Sequence, residues 1–171
     1  MSVVAARTRA EEIIAQLGIV RAPVNVEAVA EKLGLRVVTT ELGADVSGLL
    51  VSQKDDVSIV VNKDDHQHRQ RFTIAHEIGH FALRHQFEDG GRVHVDRGAA
   101  VSYRGPRAGL GIDRQEIEAN QFAACLLMPA ALVRAVAVGR TLSDRDVERL
   151  AVEFDVSEQA MTFRLTALRL L

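Results

Sequence analysis

The stretch Arg71-Phe72-Thr73-Ile74-Ala75-His76-Glu77-Ile78-Gly79-His80 holds the residues best suited to chemistry. It contains His-Glu-x-x-His. On a helix, His76 and His80 project from one face, one turn apart. Two imidazoles so placed can ligate one Zn2+, and Glu77 then stands beside them as a general base. The chemistry that follows is hydrolysis of an amide. Zinc polarises the carbonyl and acidifies the attacking water, while Glu77 takes the proton and passes it to the leaving amine.

A catalytic zinc needs a third protein ligand. A histidine six residues after the second, with a glycine between, is one solution, but Leu83 and Gln86 occupy those positions. A carboxylate is the other, and a later helical stretch offers Glu116 and Glu118. Glu118 is rotated about 200° from Glu116 by helix geometry, so only one can face the site. Glu116 shares its face with Asn120, which can hydrogen-bond a ligand from behind. Glu116 is therefore the predicted third ligand. His85 is rotated away from the His76 and His80 face and reads as a helix-end or surface residue. An electrophilic partner for the tetrahedral intermediate could come from Tyr103, His94 or an arginine of the 86–112 stretch.

These side chains need elements to hold them. Asp64-Asp65 can cap a long helix from about His66 to His85. Around the histidines it is apolar on most sides (Phe72, Ile74, Ala75, Ile78, Phe81, Ala82, Leu83), the pattern of a buried helix. Gly79 costs such a helix ~1 kcal/mol relative to Ala, which suggests close approach by another backbone. The spacing of 113–127 predicts the helix with Glu116, and its Ala119, Ala123 and Ala124 allow tight packing on the Gly79 side. Upstream, helices are predicted over 3–17 and Val26 to Leu33, the second capped by Asn25. Strands follow at Leu35 to Thr40, Val46 to Gln53 and Val57 to Val61, with a hairpin turn at Lys54-Asp55-Asp56. Residues 86–112, rich in Gly and Arg, predict a long loop with a short strand at Val93 to Val95. Its Arg92, Arg97, Arg104 and Arg107 make it locally basic. Short helices are predicted from Pro129 to Val138, over 144–154 behind Ser143, and from Glu158 to about Leu170 behind Ser157.

The 171 residues suffice for one core-forming domain. With no Trp and one Tyr, the core must be aliphatic plus Phe. A formal charge of -2 supplies no global basic field for nucleic acid. The single cysteine, Cys125, excludes an intrachain disulfide and a cysteine zinc cluster and suits a reducing compartment. The N-terminus does not read as a signal peptide. The longest apolar run, Phe122 to Val133 broken by Pro129, is too short to span a bilayer. A cytoplasmic protein with no membrane partner is predicted.

The decamer at 71–80, together with Glu116-Ile117-Glu118-Ala119-Asn120-Gln121-Phe122-Ala123-Ala124-Cys125-Leu126-Leu127-Met128-Pro129, resembles the ImmA/IrrE family of HExxH metallo-endopeptidases. Softer similarity lies in Pro23 to Leu35, Ser47-Gly48-Leu49-Leu50 and Ile59-Val60-Val61-Asn62. The resemblance implies an α+β, zincin-like domain, here with a small three-stranded sheet packed with helices. It also implies zinc ligands at His76, His80 and Glu116 with a general base at Glu77. The implied substrate is a helix-turn-helix repressor, cut to derepress phage, mobile-element, toxin–antitoxin or stress-response genes.

The C-terminal segment resembles a helix-turn-helix unit, with Phe154-Asp155-Val156 at its turn. We divide the chain into a metallopeptidase domain, 1–139, and this helical segment, 140–171. From Arg140 onward five Arg face six acids, whereas a DNA reader needs a basic stripe. The segment is expected to pack on the protease domain or to recognise the repressor, with direct DNA binding not favoured. Two rival readings are a non-proteolytic DNA- or partner-binding regulator and a toxin neutralised by an antitoxin.

Overall fold

The computed structural model describes residues 2–43, 45–53, 56–85, 93–96, 109–137 and 142–171. In chain order the elements are α1 (Val3–Gln16), α2 (Val26–Lys32), β1 (Leu35–Thr40), β2 (Gly48–Gln53), β3 (Asp56–Asn62), α3 (Gln67–Ala82), β4 (Val93–Asp96), α4 (Gly109–Leu127), α5 (Ala130–Ala137), α6 (Asp144–Phe154) and α7 (Glu158–Ala167). The fold is α+β. The three expected strands form one sheet, and the short strand at Val93 extends it to four in the order β1-β3-β2-β4.

β3 pairs parallel with β1 and antiparallel with β2, and β4 pairs antiparallel with β2. Side chains alternate between sheet faces. Leu50 lies opposite Ile59, Val37 opposite Ile59 and Leu35 opposite Val57, so these five share one face. Leu35, Leu50 and Ile59 on it are buried. Arg36, Val38 and Ser58 fall on the other face, where Arg36 and Val38 are exposed. α3 packs against β2 and β3 and against α4, which in turn carries α1. The core between them is aliphatic plus Phe, as composition requires: Ile13, Leu50, Ile59, Ile78, Phe122, Leu126, Leu150, Phe154 and Met161 are all nearly inaccessible.

α4 begins at Gly109, four residues before the expected start and inside the stretch expected as loop, and both ends of α3 differ from expectation. The N-cap of α3 is His66, whose Nδ1 accepts from the His68 amide at 3.2 Å. Asp65 pairs with Arg69 at 3.4 Å instead. At the other end α3 stops at Ala82, because Arg84 turns left-handed at φ 54°.

α6 opens with a capping box between Ser143 and Asp146, and α7 with Ser157 accepting from the Ala160 amide. Between them Asp155 is left-handed at φ 52°, a conformation Asp reaches at some cost. Three side chains of α3 offset that cost at its carboxylate: Gln67 Nε2 at 2.9 Å, Arg71 Nε at 3.1 Å and His68 Nε2 at 3.2 Å. The inner faces of α6 and α7 join the same apolar core as the rest. The boundary drawn at 139/140 lies outside the described residues. No single helix among the described residues is long and apolar enough to cross a membrane.

Candidate metal centre

The α3 helix is buried continuously from Thr73 to His80. Two glycines let other backbones reach it. A Cβ on Gly79 would lie 3.1 Å from Phe122 Cδ1 and 3.2 Å from both Cα and O of Ala119. The absence of that Cβ is what lets α4 lie against α3, and Ala119 and Ala123 keep the facing surface small. A Cβ on Gly48 would overlap the Thr73 side chain and lie 3.8 Å from Glu77 Oε1. The start of β2 therefore passes directly over α3 beside the Glu77 carboxylate, and Glu77 is fully buried.

Tight packing of α4 brings Glu116 to the two histidines. Its Oε2 lies 3.2 Å from His76 Nε2 and its Oε1 3.2 Å from His80 Nε2. The two Nε2 atoms are 2.9 Å apart. All three residues offer a ligand atom within 4.8 Å of the others. Both histidines are inaccessible, whereas the Glu116 side chain is 24 % exposed, so the group has one open side.

Asn120 stands one turn beyond Glu116, with Oδ1 2.9 Å from His76 Nδ1. A carbonyl oxygen only accepts, so the His76 proton belongs on Nδ1 and the lone pair on Nε2 faces the group. The donor set is then two imidazoles and a carboxylate at contact distance. Bringing these acceptors together is unfavourable without a proton or cation among them. Two His and one Glu match the preference of Zn2+ for nitrogen and oxygen ligands with an open position. The residues fit the ion.

Two further side chains join the site, neither of them anticipated as part of it. His85, read as a helix-end or surface residue, is buried, as is Glu118. His85 Nδ1 lies 3.1 Å from His80 Nδ1, and His85 Nε2 lies 3.2 Å from Glu118 Oε2. The left-handed Arg84 makes this possible. It lets the His85 amide donate back to the His80 carbonyl at 3.1 Å, folding the chain over the helix end. Burial lowers the His85 pKa, against the pull of Glu118 in the other direction. Burial alone would raise Glu118, but hydrogen bonds from His85 and Arg114 outweigh it and hold the carboxyl below its usual range. No sequence signal marked this turn, since left-handed helix ends ordinarily carry Gly or Asn.

His94 lies in β4, opposite Leu50. Its side chain lies outside the described residues, as do Tyr103 and the loop arginines Arg92, Arg97, Arg104 and Arg107. A peptidase family profile described as the IrrE N-terminal-like domain matches residues 30–98 and 107–166. No curated protein matches the chain at a significant level.

Proposed function

The chain belongs to the peptidase family of the IrrE N-terminal-like domain, and from that premise we propose that it is a zinc-dependent endopeptidase of the gluzincin type that cuts a helix-turn-helix transcriptional repressor. The observation that carries this reading is the convergence of His76, His80 and Glu116 on one point, with Glu77 buried on the same helix. In this reading those three residues hold Zn2+. Bound there, the ion supplies Lewis acidity toward the scissile carbonyl and the attacking water. Glu77 accepts the proton of that water and delivers it to the leaving nitrogen. Asn120 holds the His76 ring in its ligating orientation.

The substrate enters as an extended strand on the open side at Glu116. Among the described residues β4 is an edge strand of the sheet, and Asp96 on it pairs with Gly48, the residue lying over α3. Addition of a strand at that edge supplies main-chain hydrogen bonds independent of substrate sequence. The cut relieves repression of phage, mobile-element, toxin–antitoxin or stress-response genes, and it takes place in the cytoplasm, where repressors act. The C-terminal segment serves the protease fold or repressor recognition more than DNA. Arg164, the single basic residue of α7, is buried and donates Nε to the Met128 carbonyl at 2.9 Å.

The test is to identify any helix-turn-helix repressor encoded beside this chain and to follow its cleavage with purified proteins. Wild type should bind one zinc and cut. Glu77→Gln should bind zinc equally and cut about 10²- to 10⁴-fold more slowly, the usual worth of a general base. Equal cutting by Glu77→Gln, or a wild type that binds no zinc, would sink the proposal.

A further inference from the structure

We propose that Glu118 and His85 form a buried relay that fixes His80 in its metal-ligating tautomer, making both of them positioning residues of the centre. The inference rests on the metal site proposed above. Its observation is a line of polar atoms running away from that site through three side chains. His80 Nε2 faces Glu116 at 3.2 Å, and His80 Nδ1 faces His85 Nδ1 at 3.1 Å. His85 Nε2 faces Glu118 Oε2 at 3.2 Å.

Protons along this line have little freedom. Glu118 also receives Arg114 Nε at 3.1 Å, so its ionised carboxylate acts as acceptor for both neighbours. His85 must then donate from Nε2. A neutral imidazole with its proton on Nε2 has a lone pair on Nδ1. That lone pair meets His80 Nδ1, and two facing lone pairs at 3.1 Å would repel, so His80 carries its proton on Nδ1. His80 Nε2 then turns its lone pair toward Glu116 and His76, where the proton or cation that this group requires is shared.

Asn120 produces the same outcome at His76 by a different route, from the other side of the centre. The two carboxylates of α4 thus divide the work. Glu116 meets the histidines directly, and Glu118 reaches one of them through His85. The rotation that turns Glu118 away from the centre is what lets it take this role.

Two measurements test the relay. Long-range proton–nitrogen NMR on the metal-free wild type should show His80 protonated on Nδ1. Zinc affinity, by competition with a chelator, should fall about 10- to 100-fold in His85→Leu, the usual cost of losing such a partner. His85→Asn keeps an acceptor where Nδ1 stood but loses reach to Glu118, and it should remain within about fivefold of wild type. A packing role alone would make Asn no better than Leu. The relay is overturned if metal-free His80 carries its proton on Nε2, or if folded His85→Leu binds zinc like wild type. Should His85→Leu fail to fold, the wild-type tautomer decides. A wild type that binds no zinc fails the metal reading, while the tautomer still tests the relay in the metal-free protein.

Discussion

Asn120 and His85 offer the same service to two histidines, but from different surroundings, and the difference sets what each substitution should cost. Asn120 is exposed, whereas His85 is 8 % accessible. Water can replace a lost exposed partner and cannot easily replace a buried one. Asn120→Ala should therefore weaken zinc by about tenfold, the low end for such a partner, and leave cleavage at saturating zinc near wild type. Chelator competition and cleavage rates at high zinc check this. Loss of cleavage that excess zinc fails to restore would show Asn120 acting on substrate and not through His76. Legibility follows the same division. Asn120 was readable because it sits on a regular helix, four residues from Glu116, where periodicity fixes its face. His85 was not, because the helix had ended at Ala82 and the left-handed Arg84 turns the chain just before it. Extrapolating helical rotation past that turn pointed His85 the wrong way.

At the scale of elements, the centre depends on how closely α4 approaches α3, and Gly79 sets that distance. Replacing it with Ala brings two effects of opposite sign. Helix propensity favours Ala by roughly 1 kcal/mol. The new methyl, however, meets backbone atoms of Ala119 at 3.2 Å, and these can yield only if α4 moves. Overpacking of that kind costs about 1–3 kcal/mol, so a net loss of up to about 2 kcal/mol is expected. Movement of α4 also carries Glu116 away from both histidines. Gly79→Ala should thus lower the urea midpoint of the metal-free protein modestly and weaken zinc more than that loss alone would. A higher midpoint with unchanged zinc affinity would refute it. The close approach was legible from a glycine in an apolar helix faced by small residues, as were most helix and strand positions, where periodicity and caps agree. The order of the sheet was not, since parallel pairing of β1 with β3 depends on contacts distant in sequence. The short strand β4, paired only with β2 among the described residues, left a weak local pattern for the same reason.

For the molecule as a whole, Arg71 ties two distant segments to the helix that carries the centre. One of its Nη groups donates to the Val24 carbonyl at 2.9 Å, and its Nε faces both the Asp155 carbonyl and carboxylate at 3.1 Å. The guanidinium therefore joins the entry to α2 and the turn between α6 and α7 to the N-terminal part of α3. Its side chain is 11 % exposed, so solvent screens it little. Hydrogen bonds to charged groups contribute ~1.5–3 kcal/mol each in such settings, and they overlap here at one site. Arg71→Ala should destabilise the protein by about 2–3 kcal/mol on that basis, since it also leaves Asp155 left-handed with fewer partners. Arg71→Lys should recover little, because an ammonium lacks the planar fork that reaches two acceptors at once. Urea denaturation measures the loss, and native-state hydrogen exchange shows where it falls. If α6 and α7 share the core cooperatively with α3, their slowest amides open at the same free energy as those of α3 in wild type. In Arg71→Ala they should open first, ahead of α3. Earlier opening of α6 and α7 already in wild type would mean that the segment is a separate unit resting on the rest of the fold, and that Arg71 only docks it.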